Sequence, residues 1–524
     1  MATSLADTSA SNAADKTCDI EATVSTGFEN VAKEEAIEKF NTEVVVSRGK
    51  ILVKRIPMTN VKQILDLGTI DNCQVLMTRE PDFQFTQDIA DCMRRLRDYV
   101  KKVDWQQGLA VWHKFFSFEH PIPSQPEVIP ESLGDVILSV ITPKSDGKRK
   151  KKNKGRGTKK LNFEQDGKKE ADSHEKDILP SETVDSESVP SEVCDARNVH
   201  EQADECMAYP YINKDKTEAD KTTSNSVTSI DTGLGLKKTS DKSEKSDEKS
   251  TKGWDSLKPS FRVTCYRSGE GHCFDSMTAA ANFGGAGNDY FGWNVKMTNF
   301  DIEVVLSVEG TEVTVGLALT KQSLHRRNII SFGPTTLRPT IAFSMLRLCS
   351  IQPGDVVCDP MCGSGSIPIQ ASISWPESIH LCGEIHPKAL ARTLENIDEL
   401  HRKRKEKAKK DIKVDIVFWD TCHLPMKNNT VDVFVTDMPF GKRVGHRVEN
   451  WKLYPSVLME LARVAKLNTA RACLLTQDKK CMIKSLQSIT KYWRRMQTLG
   501  VNIGGLSAGV YLLHRTATDY EHSD

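Results

Sequence analysis

Asp437-Met438-Pro439-Phe440 sets a carboxylate, backbone carbonyls and a flat aromatic ring in one short turn. Such a set suits a planar amino group, whose hydrogens need acceptors and whose plane needs a stacking face. Pro439 stiffens the turn and confines Met438 to extended conformations, so the Met438 carbonyl is aimed in one direction. Upstream, Asp359-Pro360-Met361-Cys362-Gly363-Ser364-Gly365-Ser366 puts a glycine turn behind another acid, and Glu384 and Asp420 follow between the two segments. Glycines let the backbone approach a ligand closely. A carboxylate in the place of Glu384 can hold both hydroxyls of a ribose, and one in the place of Asp420 can accept an adenine amino hydrogen.

These residues do chemistry only if strand ends bring them together. Val431–Thr436, ahead of Asp437, is rich in β-branched and aromatic residues and reads as a buried strand. Asp355–Cys358, His380–Gly383 and Val414–Trp419 lead in the same way into Asp359, Glu384 and Asp420. Each gap is long enough for a helix and a return strand, which predicts a parallel sheet with its ligand crevice at the carboxyl edge. The helix Thr336–Ile351 introduces this domain, and Ala472–Leu475 with Val510–Leu513 supply further strands. Taken alone, the glycine loop would serve a dinucleotide, S-adenosylmethionine or nothing. Four acids at successive strand ends favour the adenosyl cofactor, and no Gly-x-x-x-x-Gly-Lys-Ser/Thr signals a nucleoside triphosphate.

The chain has 524 residues, 27% charged and 38% hydrophobic, with a net charge of +1, which predicts several domains and only local affinity for nucleic acid. Residues 1–20 show no signal-peptide or transit pattern and read as a tail, and no apolar run is long enough to cross a membrane. The expected location is cytosol or nucleus. The cysteines lack Cys-x-x-Cys spacing, so reduced thiols and no metal are expected. Residues 143–255 lose aromatic and branched side chains, include the run Lys148-Arg149-Lys150-Lys151-Lys152, and read as a disordered charged insertion.

Ahead of it, residues 21–80 give the order strand, helix, hairpin, helix (Val61–Leu67), strand, that of a ferredoxin-like α+β module. Two amphipathic helices, Asp88–Val103 and Trp105–Phe116, occupy 81–142. After the insertion, 256–328 carry the strand Phe261–Arg267, a helix from Asp275 to Phe283, two alternating strands and a basic exit, Ser323-Leu324-His325-Arg326-Arg327. Residues 329–515 form the sheet domain and 516–524 a tail.

With the Asn282-Phe283-Gly284-Gly285 turn and the Ser-Leu-His-Arg-Arg exit, 81–142 and 256–328 resemble the two parts of a THUMP domain, which implies RNA contact by Arg267, His325, Arg326 and Arg327. The sheet domain, with Asp359 to Gly365, Glu384, Asp420 and Asp437-Met438-Pro439-Phe440-Gly441-Lys442-Arg443, resembles the class I, Rossmann-like, seven-stranded domain of the THUMP-linked tRNA guanine-N2 methyltransferases. The resemblance implies S-adenosylmethionine held by Asp359, Pro360, Cys362, Gly363, Gly365, Glu384 and Asp420, and catalysis by Asp437, Met438, Pro439 and Phe440. It implies tRNA as partner, with a small zinc-containing activator subunit. The family's commoner turn is Asn or Asp, Pro, Pro, Tyr; here Met438 and Phe440 keep the stacking face and lose the phenol.

Three other readings fit parts of the pattern: an adenine-N6 methyltransferase, a protein glutamine methyltransferase, and a non-catalytic tRNA-binding scaffold. RNA cytosine-C5 methylation needs a cysteine nucleophile that the 437–440 turn lacks. The run Arg402-Lys403-Arg404-Lys405-Glu406-Lys407 suits either phosphate contact or a solvated helix end.

Overall fold

The computed structural model describes residues 16–118, 121, 126, 130–138, 258–441 and 447–521. The expected insertion at 143–255, residues 1–15, and Lys442 and Arg443 lie outside the described residues. The first strand, β1 (Thr17–Val24), begins inside the stretch expected as a tail, because Cys18, Ile20, Ala22 and Val24 alternate into the core. Next come α1 (Glu29–Phe40), β2 (Val44–Ser47), β3 (Lys50–Pro57) and β4 (Ile70–Glu80). Between β3 and β4 the expected helix is instead a 3-10 turn, Val61–Asp66. Its six residues are too few for a stable α-helix and serve to bury Val61 and Ile64.

Helices α2 (Ile89–Tyr99) and α3 (Trp105–Phe116) follow, then β5 (Ser260–Ser268), α4 (Ser276–Phe291), β6 (Asn294–Val295), β7 (Ile302–Glu309) and β8 (Glu312–Ala318). The turn expected at Asn282-Phe283-Gly284-Gly285 is absent, since α4 runs straight through it. Close packing explains those glycines: a Cβ on Gly285 would lie 2.9 Å from the Arg97 guanidinium, and one on Gly287 would lie 3.2 Å from the Phe261 ring. All eight strands form one sheet in the order β2-β3-β1-β4-β8-β7-β5-β6. Antiparallel pairing of β4 with β8, such as Val75 opposite Leu317, fuses the stretches read as two modules.

Past a 3-10 turn (Leu324–Arg326) lie α5 (Pro339–Leu348), β9 (Val356–Asp359), α6 (Ser366–Ser374), β10 (Ile379–Gly383), α7 (Pro387–Glu406), β11 (Asp415–Val417) and β12 (Val433–Asp437). The chain ends with α8 (Arg447–Val464), β13 (Arg471–Thr476), α9 (Lys479–Ser488), β14 (Trp493–Ile503) and β15 (Leu506–Arg515). These strands form a second sheet, β11-β10-β9-β12-β13-β15-β14, parallel except for β15, which runs antiparallel to both neighbours. The order reverses at β9, so the crevice beyond the carboxyl ends of β9 and β12 is the expected ligand position. The segment after β15 is packed rather than loose, with Tyr520 stacked 5.7 Å from Tyr492.

The two sheets are locked together. Arg327 donates to the carbonyls of Leu67, Ile70 and Leu324 at 2.8, 2.8 and 3.1 Å. Thr340 donates to Asp71 at 2.7 Å, and the Asn502 amide reaches the Thr26 carbonyl at 2.9 Å. A Cβ on Gly27 would sit 2.2 Å from the Gly500 carbonyl oxygen, so the β1–α1 turn approaches β14 as only glycine allows. One hydrophobic cluster spans both sheets, from Ile20 and Val75 to Val433 and Val510.

Candidate cofactor and methyl-transfer site

At the carboxyl edge of the second sheet, β9 delivers Asp359 into a buried position where desolvation raises its carboxyl to about 7, while the Thr436 hydroxyl and the Met361 amide oppose that rise. The folded chain therefore holds a proton that the unfolded chain has already lost. Asp359 alone thus contributes a loss of stability as pH rises from about 4 to about 7, on the order of 4 kcal/mol. Asp359→Asn is expected to flatten that slope in denaturant titrations across this range.

The glycine loop is tied down from behind. The Cys362 amide donates to the Gly383 carbonyl at 2.9 Å, and the Thr393 hydroxyl donates to the Gly363 carbonyl at 2.9 Å. Trp419 Nε1 and Thr421 Oγ1 both donate to the Pro360 carbonyl, at 3.0 and 2.7 Å. Gly363 and Gly365 have φ values of 57° and 83°, left-handed conformations that suit glycine. At Gly363 nothing lies within 4 Å of where a Cβ would sit, so the loop opens onto free space. Glu384 faces it: one oxygen accepts from the Gly363 amide at 3.0 Å, the other from the His386 amide at 2.9 Å. Each oxygen keeps a lone pair for a ribose hydroxyl.

Asp420 accepts from the Cys422 amide at 2.9 Å, which holds its carboxyl below the usual range. Its other oxygen lies 3.3 Å from the exposed His423 ring. Ile385 and Phe418, 58% and 60% exposed beside these acids, offer apolar flanks for a flat base. Sequence reasoning passed over both, although large apolar residues beside strand-end acids are a readable signal. Open glycine backbone, a ribose-competent acid and apolar flanks fit S-adenosylmethionine. The Pro360 carbonyl is already bonded and Cys362 is buried against Thr393, so both shape the loop from behind.

Asp437 ends β12, the strand beside β9. Burial, with the Asp359 charge second, pushes its carboxyl well above the ordinary range. Its Oδ1 is buried without a partner among the described residues. The turn behind it is clamped: the Met438 amide donates to the Leu475 carbonyl at 2.9 Å. The Pro439 carbonyl takes the Tyr454 hydroxyl at 2.7 Å and the Asn450 amide at 3.2 Å. Tyr454 also meets Thr476 at 2.6 Å, and Asn450 meets Asp478 at 3.3 Å. The Pro439 carbonyl is thereby consumed, and the half-buried Phe440 ring packs on the core beside it.

The clamp residues were not legible in sequence, because α8 and α9 meet the turn only in three dimensions. Tyr454→Phe is expected to cut the transfer rate roughly 10-fold while leaving cofactor affinity unchanged, as single-turnover kinetics and calorimetry would register.

The residues expected at RNA divide. Arg326 is exposed and lies 5.4 Å from the Phe332 ring, and Arg267 is half-buried 3.3 Å from His272. His325 is bonded to Ser323 at 2.7 Å, and Arg327 is spent on the three carbonyls that join the sheets. In the basic run, Arg402 is paired with Glu399 and Glu406 and Lys403 with Glu399. Among the described residues no cluster of three metal-ligating side chains occurs, no disulfide forms, and no helix is long and apolar enough to cross a membrane.

A seven-stranded sheet with a single reversed strand, an open glycine loop and a clamped acidic turn define a class I, S-adenosylmethionine-dependent methyltransferase. Residues 326–508 match a family described as RMKL-like, methyltransferase domain. The tRNA (guanine(6)-N(2))-methyltransferase THUMP3 of Bos taurus is 39% identical over 508 residues, covering 96% of this chain and 89% of its own length. The human U6 snRNA (guanine-N(2))-methyltransferase THUMPD2 is 29% identical over 42% of this chain and 41% of its own. The crystal structure of TrmN from Thermus thermophilus shares the fold, with a TM-score of 0.56 at 17% identity over 95% of this chain and 99% of that one. The chain belongs to the THUMP3 family of tRNA guanine-N2 methyltransferases.

Proposed function

We propose that this chain transfers a methyl group from S-adenosylmethionine to the exocyclic N2 of a guanosine in the acceptor-stem region of tRNA. The observation that carries the reading is the orphaned, buried Oδ1 of Asp437 in a turn held by its Met438 amide and its Pro439 carbonyl. When bound, S-adenosylmethionine would supply an electrophilic methyl whose bond to the sulfonium sulfur breaks as the new bond forms, the electron pair staying on the sulfur of the departing thioether. The guanine amine is a weak nucleophile, its lone pair being delocalised into the ring. Asp437 and the Met438 carbonyl take its two hydrogens and turn the lone pair toward the methyl. Asp437 then accepts the proton that nitrogen releases as the new N–C bond forms. Phe440 stacks on the base, which must leave the helical stack to be reached.

A tRNA substrate is favoured over U6 snRNA because the likeness to THUMP3 runs through both sheets, whereas that to THUMPD2 covers less than half of the chain. The exposed Arg326 contacts RNA beside the methyltransferase domain and Arg267 contacts it at the opposite end of the first sheet, while Arg327 fixes the distance between grip and pocket. A zinc-containing activator subunit docks on the methyltransferase domain, for which the open sheet edge at β11 is available. The enzyme works with tRNA in cytosol or nucleus. Methylation of total tRNA with labelled cofactor, followed by nucleoside mapping, is expected to yield N2-methylguanosine; N6-methyladenosine as the product would sink the reading.

A further inference from the structure

We propose that Gln477 reads the Watson–Crick edge of the target guanine and is the residue that distinguishes it from other purines carrying a 2-amino group. The proposal rests on the guanine-N2 reading above. At the carboxyl ends of β12 and β13, Thr436 Oγ1, Asp437 Oδ1 and Gln477 Oε1 are buried with no partner among the described residues; the Thr436 hydroxyl can also donate, which leaves Asp437 and Gln477 as the dedicated acceptors. The two strands are adjacent and parallel, with Asp437 opposite Leu475, so Gln477 lies in the turn just past the end of β13, two residues beyond that pairing.

Its backbone is fixed. The Gln477 carbonyl accepts from the Lys479 amide at 2.9 Å, and the next residue, Asp478, is tied to Thr476, Asn450 and Cys481. The clamp that aims the catalytic turn therefore also sets the position of Gln477.

A buried amide oxygen without a donor is costly, and substrate is a natural source of one. Guanine presents three donors on one edge, the N1 hydrogen and the two N2 hydrogens. The site presents three acceptors: the Asp437 carboxylate, the Met438 carbonyl and Gln477 Oε1. With the first two taken by the amine, Gln477 is left for N1–H. Adenine has an acceptor at N1 and no amine at C2, so it would leave the Gln477 acceptor unsatisfied.

The test uses tRNA with 2-aminopurine at the target position, which keeps the amine and lacks N1–H. It is run with full-length enzyme in a reconstitution that methylates native tRNA. The wild type is expected to favour guanine over 2-aminopurine roughly 10- to 100-fold in kcat/KM. In Gln477→Leu that ratio falls to near one, and in Gln477→Glu, which keeps an acceptor, it is retained. Comparing the two substrates within each variant cancels any general loss of activity. A ratio unchanged in Gln477→Leu, or no preference in the wild type, overturns the role of Gln477 while guanine-N2 methylation stands. A wild type that makes no N2-methylguanosine from native tRNA overturns the parent reading and this one with it.

Discussion

Asp437→Asn is expected to slow methyl transfer by about 10²- to 10⁴-fold and, at the same time, to raise the melting temperature. The substitution keeps the shape of the side chain and removes its charge and its ability to take a proton. In the free protein that charge is a liability: the site is desolvated, and Asp359 lies close enough to oppose ionisation. A carboxyl raised in the folded state keeps its proton after the unfolded chain has released it, so stability drops as pH climbs from the ordinary carboxylate range through the raised value. The variant lacks that drop, and its advantage in melting temperature widens as pH increases. A substrate amine supplies the missing donors, and activity of the wild type is expected to rise with pH as Asp437 ionises. Thermal melts and single-turnover rates across one pH series check both halves. An Asn variant that is neither slower nor more stable would remove Asp437 from the chemistry.

The acids were legible because each follows an apolar run that reads as a strand, and the gaps between them implied a parallel sheet. Asp359, Glu384 and Asp437 stand where that reading put them, at one edge of one sheet. Periodicity said less about partners distant in sequence. Pairing of β4 with β8 joins residues more than two hundred positions apart and turned two expected modules into one sheet. The glycines of α4 were taken for a turn because glycine usually breaks helices, whereas here the missing Cβ atoms admit Arg97 and Phe261. Arg327 looked like a phosphate ligand by its neighbours His325 and Arg326, yet the carbonyls that claim it come from Leu67 and Ile70, far upstream. Asn450, Tyr454 and Gln477 carry no motif at all and gain meaning only from what lies opposite them.

Glu384→Gln tests the cofactor half of the site with an effect of comparable size. The wild-type carboxylate uses both oxygens on backbone amides, Gly363 at 3.0 Å and His386 at 2.9 Å, before any ribose arrives. An amide side chain can satisfy only one of those donors, because its nitrogen presents hydrogens where an acceptor is required. Either Gly363 or His386 loses its partner, and the ribose loses a charged acceptor in the same step. Charge-assisted hydrogen bonds of this kind contribute about 1.5 to 3 kcal/mol each. Affinity for S-adenosylmethionine is therefore expected to fall about 10- to 100-fold, read by calorimetry, while the rate at saturating cofactor changes little because the Asp437 turn is clamped from the other side by α8. The opposite pattern, unchanged affinity with a collapsed rate, would move Glu384 from cofactor binding to the methyl-transfer step.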